Sequence, residues 1–400
     1  MLTFFLILYG AYVATKLVLA VLQMRFIRAE RQKPAQILGQ GQWEKAADYA
    51  IAKERMGVYA AGVETALFVF WAFWGFGWLD ATLAIESAMF KAIVFVNLFL
   101  FINYLIELPL SIYERFGIDA RFGFNRATPG LFARDQLKTL ALVAIFGSLV
   151  IAALAWFVGS FASWWLIAFV FLMVVIVLIN MLFPTIRALM FDKFVPIDQT
   201  EIGQEIGSLM ARTGFKASGV FSVDASKRDA RLNAYFGGLG RTKRVVLYDT
   251  LIEKLSKEEL LAVLGHELGH FKHKDILKNM AVMAGMLFAF LALFGNLGEG
   301  FFAALGVESS AHILIALFLL LSGPLFFFLM PIFNAISRHN EFAADRFGGD
   351  LVSREALKNA LIKLVQENVK FPKNHPLYGL FYETHPGVLT RIERLEAERA

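Results

Sequence analysis

The five residues His266-Glu267-Leu268-Gly269-His270 combine types and spacing that imply chemistry. On a helix, positions i and i+4 share a face, so both imidazoles can reach one zinc ion. Glu267 then leans toward the water that ion activates and serves as general base. Two helix-surface histidines beside a glutamate would read the same way, but this motif lies inside an apolar stretch, Leu260 to Phe271, where solvated histidines are out of place. The chain contains no cysteine, so any metal must be held by His and carboxylate groups. A catalytic zinc needs a third protein ligand and an open position. Glu341 can supply that ligand. Asp345, four residues on and on the same helical face, can accept the free N–H of a ligand histidine and fix its tautomer. On spacing alone the pair could equally be an acidic helix surface.

The elements that must carry these residues are mostly membrane helices. The chain is 58% hydrophobic, 14% aromatic and only 18% charged, whereas charged residues make up about a quarter of a soluble chain. Seven stretches are apolar and long enough to cross a bilayer, near 3–22, 62–82, 88–110, 138–159, 163–186, 280–299 and 311–334. The first contains Lys16 as its one charge and lacks the basic start and cleavage site of a signal peptide, so it is read as a retained span. Lys and Arg collect in alternate connections. They are frequent from Arg25 to Arg55, from Arg115 to Arg134 and from Arg187 to Lys278, and absent from 80–86, from 159–162 and between Lys278 and Arg338. This alternation accounts for the net charge of +5 without a nucleic-acid partner, for which no basic stripe interleaved with aromatics is present. It places the amino terminus outside and the carboxyl terminus in the cytoplasm.

The expected organisation is therefore an amino-terminal membrane domain, 1–186, with five transmembrane helices, and a cytoplasmic metallopeptidase domain, 187–400, interrupted by a transmembrane hairpin at about 280–334. The chain leaves the His266 motif, makes that hairpin and returns on the same side just before Glu341, and this topology favours Glu341 as a ligand. Within 187–278, Ile202 to Thr213 has helical periodicity, and Gly219 to Val223 and Lys243 to Tyr248 alternate like strands. Lys257 to Lys272 reads as a helix with Ser256 at its N-cap and Glu259 in the capping-box position.

Further motifs extend across most of the chain: Leu108-Pro109 with Tyr113, Phe122-Gly123-Phe124-Asn125 with Thr128 and Asp135, Asn233-Ala234-Tyr235-Phe236, Val245 to Leu251, Ser337-Arg338 before Glu341-Phe342-Ala343-Ala344-Asp345, and His385-Pro386 with Arg391. With the zinc motif, they resemble the CAAX prenyl protease 1 family, seven-span zinc metalloendopeptidases that process prenylated protein tails. The resemblance implies a mainly α fold in which seven membrane helices form a barrel around a chamber, joined to a cytoplasmic zincin-type α+β domain with one Zn2+ per chain. It also implies that Asn233 and Ala234 lie on an edge strand that pairs with an extended peptide. Read without it, Asn233 would simply be a turn residue before Gly237-Gly238. By the same resemblance His385 stabilises the oxyanion of the tetrahedral intermediate, and Arg391 supports it or binds the substrate carboxylate.

His273, His339 and His312 are not expected to be ligands. Glu64, Asn97, Asn103 and Glu107, polar groups inside spans, suggest that the helices enclose something wet. The reaction expected is metal-assisted hydrolysis of a membrane-tethered, prenylated or similar peptide by a monomer in the lipid bilayer, at a bacterial inner or an endoplasmic reticulum membrane. A quality-control protease of the heat-shock type is the nearest alternative. An inactive membrane scaffold or a transporter is a more distant one.

Overall fold

The computed structural model describes residues 2–397. The first half is helical: α1 Leu2–Arg31, α2 Gln40–Thr82, α3 Ala88–Phe122, α4 Pro129–Ser160 and α5 Trp164–Met190. Then follow β1 Phe194–Pro196, α6 Glu201–Thr213, β2 Val220–Val223, β3 Ala234–Gly237, β4 Arg244–Tyr248, α7 Asp249–Lys254 and α8 Lys257–Lys272. The chain ends with α9 Asp275–Gly295, α10 Glu299–Ala304, α11 Ala311–Leu351, α12 Arg354–Glu367, α13 Pro376–Tyr382 and α14 Val388–Ala397. Among the described residues, α1 to α5, α9 and α11 are the seven helices long and apolar enough to cross a membrane.

These helices outrun the spans expected from hydropathy. The 43 residues of α2 extend about 65 Å at ~1.5 Å per residue, roughly twice a hydrocarbon core. The basic segment after the first span is therefore largely a helical hairpin rather than a loop. Residues 40–61 are rich in Ala, Glu and Lys, good helix formers, and Trp43, Ala46 and Ala47 are buried in a cluster with Ile27 of α1. Similarly, α11 does not stop at the membrane boundary but continues unbroken through Glu341 and Asp345.

Each membrane helix packs on the next, α5 packs on α9, α9 on α11 and α11 on α1, which closes a ring. Aromatic side chains dominate the contacts at one end, where Phe5, Trp71, Phe76, Phe95, Phe294 and Phe302 are almost wholly buried. Several polar groups within the spans are satisfied between helices. Glu64 accepts from Lys16 at 2.7 Å, Asn103 from the Trp71 indole at 3.2 Å, and Asn97 donates to Ser148 at 3.0 Å. Glu107 is exposed.

The sheet has the order β1-β2-β4-β3, with β2 and β4 parallel and both outer pairings antiparallel. Two strands appear where alternation predicted them. The outer strands β1 and β3, of three and four residues, are too short to show a period. A second hydrophobic core lies between this sheet and α6, α8 and α12, where Val245, Leu247, Leu260, Leu264 and Ala360 are buried. The loop before β3 is tied to the membrane helices. Asn125 and Asp229 form an antiparallel bridge, Arg228 pairs with Asp135 of α4 at 2.7 Å and Arg231 with Asp119 of α3 at 2.8 Å.

Candidate active site

The motif helix α8 begins where a reciprocal cap sets it. Ser256 Oγ accepts from the Glu259 N–H at 3.3 Å, and the Glu259 carboxylate accepts from the Ser256 N–H at 2.7 Å. Leu260, Leu264 and Leu268 turn one face into the core, which points His266 and His270 the other way. There α8 crosses α11 at very short range. A Cβ on Gly269 would lie 2.9 Å from the Ala344 Cα, and one on Gly348 would lie 2.5 Å from the His266 backbone nitrogen. Small residues at the crossing let the two backbones approach until Glu341 reaches the histidines.

The Nε2 atoms of His266 and His270 are 3.2 Å apart. Glu341 Oε1 is 3.2 Å from His270 Nε2, and Oε2 is 3.5 Å from His266 Nε2. One donor atom from each residue falls within 4.8 Å of the others. Glu341 Oε2 is buried without a hydrogen-bond partner, a costly condition unless something else satisfies it. Two imidazole nitrogens and a carboxylate converging around an unsatisfied oxygen fit a divalent metal with mixed nitrogen and oxygen ligands.

The outer nitrogen of each ring is also held. Asp345 Oδ1 is 2.8 Å from His266 Nδ1 and Asp275 Oδ2 is 3.0 Å from His270 Nδ1. A carboxylate at Nδ1 favours the tautomer that leaves the Nε2 lone pair free for a metal. Sequence reasoning anticipated Asp345 but missed Asp275, which reads as the acidic start of a membrane helix between Lys274 and Lys278. A turn at Lys274, with φ of 57°, brings it back onto the ring. Arg391 is buried and grips Asp345 with two hydrogen bonds, at 2.7 and 2.6 Å, while its Nη1 lies 3.5 Å from Glu341 Oε2. Its guanidinium is thus committed to the carboxylate behind His266, an arrangement that favours a clamp over contact with a substrate carboxylate.

Burial pushes the Glu267 carboxyl above its ordinary pKa, partly offset by the two histidines, and a raised carboxyl is a better proton acceptor near neutrality. His385 Nε2 comes within 3.3 Å of Glu341 Oε1, with its side chain 52% exposed. Crowding of the ring by the surrounding protein, although half of the side chain stays exposed, holds its pKa below the usual imidazole value, partly offset by Glu341. Thr384 Oγ1 lies 2.9 Å from His385 Nδ1, and a hydroxyl that donates there leaves Nε2 to carry the proton toward the site. Glu267, His385, Asn233 and Ala234 line one cavity of about 290 Å³, whose wall includes the start of β3, a sheet edge. Two of the three discounted histidines have partners elsewhere: His273 packs against Phe347, and His312 bonds Asp80 at 2.7 Å near the other end of α11.

Residues 196–399 match the model of Peptidase family M48, and residues 23–193 match one described as CAAX prenyl protease N-terminal, five membrane helices. The chain is 36% identical over 310 residues to a CAAX prenyl protease 1 homolog of Dictyostelium discoideum, covering 75% of this chain and 71% of that one. It is 32% identical over 333 residues to CAAX prenyl protease 1 of Saccharomyces cerevisiae, covering 78% and 73%. The crystal structure of S. mikatae Ste24p superimposes with a TM-score of 0.89 at 28% identity, over 97% of each chain.

Proposed function

Because the chain belongs to peptidase family M48, among the CAAX prenyl protease 1 proteins, we propose that this multi-pass membrane metalloendopeptidase uses zinc to remove the C-terminal tripeptide of prenylated CAAX proteins or to cut an equivalent membrane-tethered peptide. The observation that carries this reading is the convergence of His266, His270 and Glu341 beside a cavity bounded by an edge strand. Five membrane helices precede the peptidase half, a feature that disfavours a heat-shock-type protease.

A zinc ion held by those three residues would supply Lewis-acid polarisation of the scissile carbonyl and acidify a water molecule. Glu267 takes that water's proton as its oxygen adds to the carbonyl carbon, then delivers it to the departing amide nitrogen. The His385 Nε2–H donates to the carbonyl oxygen as that atom gains negative charge. Asp345 and Asp275 keep the Nδ1 protons in place, with Arg391 holding Asp345. The backbone of Ala234 pairs with the peptide as an added strand, which binds main chain without demanding particular side chains. A cytoplasmic orientation for the catalytic half, supported by the alternation of Lys and Arg along the sequence, completes the reading, together with a division at about residue 186 and action as a monomer.

The test is cleavage of a quenched fluorescent peptide ending in a farnesylated CAAX sequence, beside its unprenylated twin, by purified protein in detergent. Chelated enzyme and Glu267→Gln are the controls. Cutting by the untreated enzyme alone supports the zinc mechanism, and the twin reports whether the lipid is required. One bound zinc per chain with neither peptide cut would overturn the CAAX substrate.

A further inference from the structure

The edge strand β3 is open over a limited length, and a side chain closes one end of it. In the antiparallel pairing of β3 with β4, Tyr235 stands opposite Val246 and Gly237 opposite Arg244. The Asn233 carbonyl accepts from the Tyr248 N–H at 3.1 Å. Backbone groups alternate in direction along a strand. Those of Asn233, Tyr235 and Gly237 therefore face β4, and those of Leu232, Ala234 and Phe236 face the free edge. At Leu232 that edge is already occupied. Asn368 Oδ1 accepts from the Leu232 N–H at 2.8 Å, and Asn368 Nδ2 donates to the Leu232 carbonyl at 3.2 Å. The carboxamide fills both bonds that a neighbouring strand would make there.

The backbone around Asn368 is held in an unusual shape. It follows α12, and the next residue, Val369, has φ of 46°, a left-handed conformation that is strained for a β-branched side chain. Lys370 N–H closes the turn on the Val365 carbonyl at 3.0 Å. Val369 packs against the cluster of Trp43 and Phe371 and against that of Met56 and Phe124, contacts that hold the turn in place. Asn368, Leu232 and Ala234 line the same cavity as Glu267 and His385.

We infer that Asn368 is a positioning residue that ends the substrate-pairing edge at Leu232, so that a bound peptide pairs with Ala234 and Phe236 in a single register and one peptide bond meets Glu267. This rests on the peptidase reading above. An edge repeats every two residues, about 7 Å. Freeing Leu232 therefore creates a second register in which the peptide lies two residues further along, with a different bond at the metal.

The experiment uses the full-length metal-loaded protein in detergent, with Asn368→Ala and Asn368→Asp. Each is given a farnesylated peptide and versions N-methylated at successive residues, and products are identified by mass spectrometry. Wild type is expected to give one product and to be blocked only by N-methyl groups at alternate residues spanning the Ala234–Phe236 window. Asn368→Ala, with metal content and melting temperature retained, is expected to gain one blocking position and a second cut two residues away, at about a tenth of total product or more. Asn368→Asp, which still accepts from the Leu232 N–H, should fall between the two. An Asn368→Ala enzyme that is fully metallated and gives the wild-type product and blocking pattern overturns the inference. Wild type that cuts one bond but ignores N-methylation shows that the strand pairing is wrong. If wild type cuts no peptide, the parent reading falls and takes this one with it.

Discussion

Gly348 of α11 meets the backbone of His266 so closely that a Cβ added there would lie 2.5 Å from the His266 nitrogen and 2.8 Å from its Cα. The clash is with backbone, which no rotamer can relieve. Gly348→Ala must therefore push α8 and α11 apart. We expect a loss of about 1–3 kcal/mol of stability, typical of overpacking, together with a fall in bound metal below one per chain. Metal content and thermal melting of the purified variant measure both, and full metal occupancy with wild-type melting would refute the crossing as the device that assembles the site.

Glu267→Gln should separate binding from turnover. The residue is not among the converging ligand atoms, so one metal per chain should remain while turnover drops by roughly 10²–10⁴, the usual contribution of a positioned base. Elemental analysis paired with peptide cleavage decides it. Loss of the metal along with activity would move Glu267 from base to ligand.

Asp275 and Asp345 hold equivalent positions behind the two histidines, yet their substitutions should differ. Asp275→Asn should weaken metal binding by about 10–100-fold with a small effect on folding, since its other partner is the half-exposed Lys278 at 2.9 Å. Asp345→Asn should cost metal affinity and also ~3–5 kcal/mol, because buried Arg391 loses its two-bond carboxylate partner and keeps only Glu341, at 3.5 Å. Equal melting temperatures for the two variants would contradict this.

Metal uptake should expel a proton from His270. Its burial would lower the imidazole pKa, but the carboxylates of Glu341 and Asp275 outweigh that and raise it to about 9 in the metal-free protein. At pH 8 the metal-free ring is charged, and metal needs it neutral. Affinity should therefore climb about tenfold per pH unit until pH reaches about 9, with close to one proton released per metal from this ring. Sign and size are read by calorimetry in buffers of different ionisation enthalpy. The same shift stabilises the metal-free fold fully below the ordinary imidazole value near 6.5 and loses that contribution as pH rises through about 9. A pH-independent metal affinity would remove His270 as the proton-competing ligand.

Much of this protein was legible from local pattern. Seven apolar runs located the membrane helices, and Ser256 with Glu259 located the start of α8, which runs over the residues expected. The i, i+4 histidines announced a metal site. Each of these signals lies within a single helix, where the geometry linking one residue to the next is set by hydrogen bonding along the backbone.

Tertiary structure decided the rest. Whether Glu341 reaches the histidines depends on the gap between α8 and α11, set by glycines that look ordinary in sequence. Asp275 becomes a partner of His270 through one left-handed turn. Arg391 and His385 arrive from a segment more than a hundred residues beyond His266, Arg391 within α14 and His385 in the turn before it, so no spacing within one helix links either to the histidines. β3, four residues long, shows no usable alternation of its own, so only the family resemblance pointed to an edge strand at Ala234, and the Asn368 side-chain amide, 136 residues from Leu232, gives no local sign of closing that edge. Local periodicity encodes which residues share a face. The distances between faces come only from packing the whole chain.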